Sequence, residues 1–479
     1  MIPSLVGAAI ALLILLAARG AGHRIIFGLF VSLAFGSTAI ASLPALGGST
    51  PLIYTAFACA LIVCEALRRD FLRSLGVIVK VHWTAGVAAF LAVYAVVSAI
   101  IFPRLFAGEV TVFIVVDGAV KDALLYPTGG NITQTGYFVL GVLTFFALRI
   151  ALLRPQLIET ARRGFLAFIV LHVAFGVADL GGKVLGLGDV LFFTRSVNYA
   201  LLTSDEVGSF HRIVGGYPEA STFSAYSLAC IAFTYAYWRA TGSLLAFLLT
   251  GALFLLLVFS TSTTAYVGLA ALCMLAAITI GVTIFSGRVK REDLILFVVI
   301  LASAVALLAA YLAQEKMFEP IVELVRVMVF EKSNSESGRE RGMWNLTSVE
   351  AFFKTEGVGI GFGSSRSSSW IISVFAQIGV IGGLLMLALV AALCRGTAGW
   401  PLEDRQMRGL ADGARAMAVG NLIAVSISGG SADPGILFFI SLAVVLTCRA
   451  QAQLAGMRAA APPRRPGSIP TLPEDAVLN

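Results

Sequence analysis

Apolar runs long enough to cross a lipid bilayer follow one another along almost the whole chain. A helix needs roughly 17–25 predominantly apolar residues to span the hydrocarbon core, and runs near that length repeat up to residue 449. The pattern predicts an all-α polytopic membrane protein with about 12–13 transmembrane helices. The predicted spans are 2–18, 25–46, 51–67, 83–102, 135–152, 165–180, 222–238, 243–259, 265–285, 294–312, 368–393, 409–428 and 434–449.

Basic residues occupy alternate connections between these runs. Arginine follows the third, fifth, ninth and eleventh runs, at Arg68, Arg154, Arg288 and Arg395 among other positions. If successive helices alternate in direction, these connections share one side, which the positive-inside rule identifies as the cytoplasm. This predicts a multi-pass protein of the bacterial inner (plasma) membrane. Its long loops, predicted to face the periplasm, are about 103–134, 181–221 and 313–367.

The long loops carry aromatic and apolar residues, which argues against disorder in them. Ile321, Leu324, Val325 and Met328 have helical spacing and predict a loop helix along the membrane surface. Residues 1–449 are therefore interpreted as a single membrane domain. The proline-rich segment 450–479 cannot bury a core and is predicted to be a disordered cytoplasmic tail.

Composition and charge exclude several other classes of protein. Hydrophobic residues make up 58% of the chain and charged residues only 13%, whereas soluble proteins have roughly 25% charged residues. The net charge is +7, and most of the lysines and arginines lie in the short connections between the spans. They form no basic stripe interleaved with aromatic residues, so no nucleic-acid partner is expected. The six cysteines lie within or at the ends of apolar runs and have neither disulfide nor zinc spacing.

The first segment that could carry chemistry is 208–224, where an outer loop re-enters the membrane. It contains His211, Arg212 and Glu219, and Pro218 with the hydroxyls that follow fits a helix start. One interpretation is a capped helix with an arginine that snorkels to the surface. The other is a carboxylate that acts as acid or base beside a phosphate-binding arginine.

The second segment, 335–344, brings Arg339, Glu340 and Arg341 close to Trp344, and a helix through about Phe353 is predicted to follow. Such a group of charges can form an ordinary solvated turn. Alternatively, the planar guanidinium groups can grip phosphate oxygens with two hydrogen bonds each.

The third segment, 357–370, has glycine at alternate positions and then Arg366. Backbone N–H groups in such a segment can approach an anion closely, and the segment is predicted to be a flexible connection to the next span. No strand precedes the glycines and no Lys-Ser/Thr follows them, so neither dinucleotide-binding nor Walker-type loops are supported.

Polar residues elsewhere are mostly interpreted as structural. The hydroxyls of the turn at 260–264 are expected to satisfy helix ends, and the isolated His82 and His172 are interpreted as structural residues. Asp179 and Arg415 lie within or at the end of spans, where an ionisable residue is a functional candidate by default.

These segments together resemble the core of the O-antigen polymerase and ligase family. The resemblance rests on Arg212 followed by Gly-Gly-Tyr-Pro-Glu-Ala-Ser, on Arg341 with Trp344, on the glycine segment, and on Gln-Ile-Gly-Val-Ile-Gly at 377–382. It covers about residues 205–395 and looks closest to exopolysaccharide polymerases. It implies a GT-C-like architecture with periplasmic loop helices, and a metal-independent glycosyltransferase that needs no cofactor.

The resemblance also implies a substrate and roles for individual residues. Family members take a glycan from an undecaprenyl-pyrophosphate carrier, and Arg212 and Arg341 correspond to arginines that handle its pyrophosphate. Arg366 is an additional candidate. Ligases carry a histidine just before the helix that begins here at Trp370, whereas this chain has serines, which favours polymerisation over transfer to lipid A core.

The expected reaction joins carrier-linked repeat units at the periplasmic face, in exopolysaccharide or O-antigen synthesis. Glu219 is the first candidate for the base and Glu340 the second. The residues expected to bind the pyrophosphate are Arg212, Arg339, Arg341, Arg366 and His211.

Other functions remain open from the sequence: an O-antigen ligase, a transporter or flippase of a lipid-linked or anionic substrate, or a glycan-binding sensor. Transporters place charges within spans near the bilayer midplane. Here the notable charges lie in outer loops, which favours the enzyme. The expected partners are the carrier-linked glycan and membrane lipid, and participation of a chain-length regulator is left open.

Overall fold

The computed structural model describes residues 2–44, 49–116, 119–198, 201–202, 206–207, 210–285, 287, 291–295, 298, 335–395 and 404–460. Most of these residues are helical, as the all-α prediction requires. The helices are α1 (Leu5–Ala17), α2 (Arg24–Val31), α3 (Ile53–Ala66), α4 (Phe71–Val81), α5 (Trp83–Leu105), α6 (Gly129–Ala151), α7 (Gln156–Val184), α8 (Ala220–Thr241), α9 (Leu244–Phe259), α10 (Thr263–Phe285), α11 (Glu336–Lys354), α12 (Trp370–Cys394), α13 (Arg405–Ser428) and α14 (Ile436–Ala460).

Among the described residues, short strands accompany the helices in three antiparallel pairs. These are β1 (Ile2–Pro3) with β2 (Ala41–Ser42), β3 (Thr111–Val116) with β4 (Ala119–Leu124), and β5 (Glu206–Val207) with β6 (Phe210–His211). Several predictions lie outside the described residues: Arg288, most of the span 294–312, the surface helix around 321–328, and the part of the tail from 461. The prediction of disorder from residue 450 is wrong for 450–460, because helix α14 continues to Ala460.

The chain is a multi-pass helical membrane protein. Seven described helices are long and apolar enough to cross a membrane, namely α5, α6, α7, α10, α12, α13 and α14 as far as Ala455. Four shorter apolar segments accompany them, at Leu5–Gly20, Arg24–Ala34, Ile53–Ala66 and Leu244–Phe259. The predicted number of about 12–13 spans is therefore not confirmed for the described residues.

The prediction of one continuous span over 25–46 is wrong. Helix α2 ends at Val31, and a short 3-10 turn carries the chain only to Ala34. The break follows from the residues that come next, because Gly36, Ser37 and Thr38 favour turns over helix. The chain then forms β2 instead of crossing as a helix.

The arginine-rich connections lie together at one end of the helix bundle, here called the basic end. Arg154, which follows α6, forms an ion pair with the buried Glu65 at the end of α3, and Arg68 donates to the same carboxylate at 2.9 Å. Arg395, which follows α12, lies 5.9 Å from the ring centre of Trp83 at the start of α5. The described basic connections thus share one end, as their charge predicts.

The other end of the bundle, here called the loop end, carries a β-hairpin that the sequence analysis missed. Strands β3 and β4 lie in the predicted loop 103–134. Val112 and Ile114 pack against Ala351 of α11 and against Ile360. The sequence signal was present, because Asp-Gly directly follows the run Thr111–Val116, which is rich in β-branched residues.

Close packing of α8 against α13 fixes the centre of the bundle. A Cβ added to Gly420 would lie 2.7 Å from the carbonyl oxygen of Leu228, and one on Gly413 would lie 2.9 Å from the ring of Phe233. Small residues that let helix backbones approach this closely are typical of membrane helix interfaces. The contact holds the first turn of α8 at the loop end.

Candidate functional site

The loop from Arg212 to Glu219 is held in place by a buried carboxylate. The side chain of Asp179 is only 1% exposed. Its Oδ2 accepts the backbone N–H groups of Val214 at 2.8 Å and Gly215 at 3.1 Å, and it pairs with Lys183 Nζ at 3.1 Å. Lys183 also donates to the carbonyl oxygen of Arg212 at 2.6 Å. The functional candidate Asp179 therefore has a clear structural role.

A second buried charge, Arg195, fastens the same loop from the other side. Its Nε donates to Asp189 Oδ2 at 2.5 Å, while its Nη1 and Nη2 donate to the carbonyl oxygens of Tyr217 and Gly215 at 3.0 and 3.2 Å. The hydroxyl of Tyr217 donates to Leu33 O at 2.9 Å. Sequence reasoning missed Arg195, because a charge in an outer loop does not indicate its partners.

Glu219 stands directly before the first residue of α8. Its backbone is extended and precedes the helix, as the predicted helix start at this position requires. Its Oε1 accepts the hydroxyl of Ser221 at 2.5 Å and that of Thr222 at 3.3 Å. The carboxylate is thereby oriented by two hydroxyls of the first helical turn and is only partly buried.

Arg366 lies where the three predicted segments meet. Its guanidinium carbon is 5.3 Å from the ring centre of Trp344, and the backbone N–H of Arg366 donates to Phe113 O at 2.7 Å. The side chain keeps contact with solvent, but the surrounding protein lowers the pKa of Arg366 below its usual value. The carboxylate of Glu219 opposes this shift and the positive charge of Arg341 adds to it. Glu219 of the first segment and Arg341 of the second therefore lie near Arg366 of the third.

The other predicted site residues have fewer described contacts with the group around Arg366. Arg341 is half-buried on α11, whereas Arg339 and Glu340 are exposed on the same helix. Among the described contacts, none joins Arg339 or Glu340 to the Arg366 group. Arg212 is half-buried at the start of its loop. His211 lies in β6, and its side chain is outside the described residues.

The glycine segment does not form the anion-binding loop that its pattern would allow, because its N–H groups are used within the protein. Five consecutive N–H groups, from Gly359 to Gly363, donate to acceptors within the protein and are not directed at a ligand. In order, the acceptors are Thr355 Oγ1, Ala376 O, Gln377 O, Ser98 Oγ and Gln377 Oε1, at 3.2, 3.0, 2.9, 3.4 and 2.8 Å.

These bonds exist because helix α12 is broken at Gly379. Its φ of 63° and ψ of −166° interrupt the helix, and this interruption leaves the carbonyls before it without helical partners. The glycine segment supplies the missing donors, and the N–H of Val380 donates in return to Gly357 O at 2.9 Å. Asn131 of α6 closes the assembly by donating to Phe362 O at 2.8 Å.

A further carboxylate near the site, Asp433, was not among the sequence candidates. It lies between α13 and α14, and its Oδ1 accepts the N–H of Gly435 at 2.9 Å. Although the residue is only partly buried by its accessible surface, the surrounding protein raises the pKa of Asp433 to about 6. A carboxyl with a pKa near neutrality can both accept and donate a proton.

The connection that carries Asp433 also borders Arg366. A Cβ built on Gly430 would lie 3.5 Å from Cγ of Arg366. Trp370 Nε1 donates to Ala432 O at 3.0 Å and ties this connection to the start of α12. The loop end therefore brings together guanidinium groups, aromatic faces and carboxylates from widely separated parts of the sequence.

No protein-family model matches the chain, and no curated protein matches it. Within the described ranges, no group of three or more His, Cys, Asp or Glu residues is arranged to hold a metal ion. The residues and contacts at the loop end are therefore the features that indicate a function.

Proposed function

We propose that the chain is a polymerase-like glycosyltransferase. It joins undecaprenyl-pyrophosphate-linked oligosaccharide repeat units at the periplasmic face of a bacterial inner membrane, in exopolysaccharide or O-antigen synthesis. The observation that carries the proposal is that Arg366, which packs over the ring of Trp344, lies close enough to Glu219 and Arg341 for their charges to influence it. Two fixed cations and one carboxylate are the groups that transfer from a pyrophosphate carrier requires.

The two arginines suit a leaving group with more than one negative charge. Burial lowers the pKa of Arg366, and the positive charge of Arg341 adds to that shift, so the two cations repel each other while no ligand is bound. A pyrophosphate between them would relieve that repulsion and accept hydrogen bonds from both guanidinium groups. Trp344 fixes the position of Arg366 through its ring face.

The reaction can then be assigned to named groups. The bond between the anomeric carbon of one glycan and its carrier pyrophosphate breaks, and a hydroxyl of another carrier-linked unit forms the new glycosidic bond. Glu219 accepts the proton of that hydroxyl, and its own orientation is set by Ser221 and Thr222. Arg366 and Arg341 stabilise the charge on the departing pyrophosphate.

A transporter is the second candidate, because a broken helix such as α12 is a feature of transporter binding sites. In transporters the freed backbone groups coordinate the substrate. Here the carbonyls of Ala376 and Gln377 accept N–H groups of the glycine segment instead. The break is thus filled by protein, which favours the enzyme.

Purified full-length protein in lipid nanodiscs, supplied with carrier-linked repeat units, provides the test. We expect longer glycans together with released undecaprenyl pyrophosphate. Arg366→Gln should reduce the rate by about 100-fold or more, because it removes a fixed charge at the leaving group. Arg104→Gln is a matched control, since Arg104 is exposed at the loop end of α5.

Two results would oppose the proposal. Equal rates for Arg366→Gln and Arg104→Gln would exclude Arg366 from the reaction. Movement of carrier-linked glycan across sealed vesicles without any increase in glycan length would favour the transporter.

A further inference from the structure

A second group of charges lies at the basic end, far from the candidate site along the helices. Arg149, in the last turn of α6, is only 2% exposed. Its Nε and Nη1 are buried and have no hydrogen-bond partner among the described residues. A buried guanidinium is unfavourable unless an acceptor or an anion satisfies it.

The described side chains around Arg149 supply no negative charge to neutralise it. His82, between α4 and α5, has a buried Nε2 that also has no partner among the described residues. Burial lowers the pKa of His82 to about 4, and the positive charges of Arg149 and Arg449 add to that shift. No carboxylate of the described residues contributes to the shift at His82.

Arg449 and Arg395 extend the group towards the protein surface. Arg449 Nη2 donates to Ala392 O at 3.0 Å and to Arg395 O at 3.4 Å, which places Arg449 beside the end of α12. Arg395 itself is exposed and lies on the ring of Trp83. The cations therefore form a path from the exposed Arg395 to the buried Arg149.

We propose that Arg149, His82 and Arg449 bind the phosphate of an anionic phospholipid headgroup from the leaflet at the basic end. The buried donors supply the hydrogen bonds that a phosphate accepts, and a guanidinium can give it two at once. Basic pockets between membrane helices are where anionic headgroups are recognised.

The surroundings of the group fit a lipid. Trp83 is 47% exposed beside Arg395, and exposed tryptophan is typical of the level of the headgroups. On the adjoining helix α4, Leu72 is 77% exposed and Val79 is 46% exposed. An amphipathic helix with such side chains lies in the membrane interface, where acyl chains can cover them.

The test compares the full-length protein in nanodiscs of phosphatidylcholine alone with nanodiscs that also contain phosphatidylglycerol. We expect phosphatidylglycerol to raise the midpoint of thermal unfolding by about 2 °C or more, and native mass spectrometry to show retained phosphatidylglycerol. Arg149→Gln should unfold at the same temperature as the wild type, or higher, in phosphatidylcholine. The same variant should show no rise with phosphatidylglycerol.

Arg162→Gln is the matched control, because Arg162 lies at the same end and donates to Glu159 at 2.6 Å. This variant should be less stable than the wild type in both lipids. Phosphatidylglycerol should still raise its midpoint of thermal unfolding. The proposal is overturned if Arg149→Gln keeps the full rise, or if it loses as much stability in phosphatidylcholine as Arg162→Gln.

Two further measurements keep the proposal testable if Arg149→Gln does not fold. Arg395→Gln, at the exposed end of the path, should weaken phosphatidylglycerol binding about fivefold, and unchanged binding would count against the site. Inorganic phosphate is added separately to phosphatidylcholine nanodiscs. If inorganic phosphate raises the unfolding midpoint as much as phosphatidylglycerol does, the bound phosphate does not have to come from a lipid, and the proposed lipid site is wrong.

Discussion

The carbonyl oxygen of Val358 occupies the space into which a side chain on Gly379 would extend. A Cβ built on Gly379 would lie 2.1 Å from that oxygen, and its φ of 63° is a conformation that favours glycine. The break in α12 and the glycine segment are therefore one structural unit. Neither half can keep its conformation without the other.

Gly379→Ala should destabilise the protein by about 3 kcal/mol or more, because both the backbone conformation and the contact with Val358 become unfavourable. The measurement is thermal unfolding in detergent. Gly136→Ala on α6 is the control, since nothing lies within 4 Å of the added Cβ. It should be neutral or stabilising by up to about 1 kcal/mol, and equal losses in both variants would contradict the interpretation.

Asp179→Ala should destabilise the protein by about 3–5 kcal/mol, because it leaves a lysine and two backbone N–H groups buried without their acceptor. Glu159→Ala is the comparison. The Glu159 side chain is 40% exposed in its ion pairs with Arg162 and Arg163, and exposed pairs contribute about 1 kcal/mol or less. A loss at Asp179 no larger than that at Glu159 would show that Asp179 does not hold the loop.

Asp433→Asn should change the dependence of stability on pH. The pKa of Asp433 is raised from 3.8 to about 6. A raised pKa in the folded state stabilises the protein fully below pH 3.8, and that contribution is lost as the pH rises through about 6. The neutral asparagine avoids this loss, so the variant should gain about 2 kcal/mol relative to the wild type between about pH 4 and pH 7.

Unfolding midpoints of the two proteins, measured across that pH range, check this prediction. A constant difference between wild type and Asp433→Asn would mean that the carboxyl of Asp433 is not perturbed.

Glu219→Gln should lower the rate of glycan transfer by about 10²–10⁴-fold, because the amide cannot accept the proton of the attacking hydroxyl. Binding of the carrier-linked substrate should change little, since the pyrophosphate is bound by arginines. Ser221→Ala removes only one hydrogen bond that orients Glu219 and should have a smaller effect. Rates from single-turnover experiments and a separate binding assay distinguish these outcomes.

The sequence predicted the positions of most described helices because their signal is local. A run of apolar residues of sufficient length identifies a span such as α5 or α12 whatever the rest of the chain does. The start of α8 was equally local, since Pro218 and the hydroxyls after Glu219 lie within one turn. The end of the short helix α2 was not predicted, because the apolar run of the sequence continues beyond the turn at which the helix ends.

The candidate site could be predicted only in part, for the opposite reason. Loop charges at Glu219, Arg341 and Arg366 were visible as separate motifs, and their mutual placement needed the three-dimensional structure. The role of the glycine segment could not be predicted from its own pattern, because its partners Ser98 and Gln377 lie elsewhere in the sequence. Asp433 was missed since no neighbouring charge marked it in the sequence.

The bond between Asn131 and Phe362 has a consequence for biogenesis. The two residues are 231 positions apart in the chain, so the first helices enter the membrane long before the glycine segment is synthesised. Until then the ends of α5 and α6 at the loop end lack the partners that complete them. A chain that ended before residue 357 would already be anchored in the bilayer with its loop end unfinished, and partly folded species of this kind are prone to aggregate.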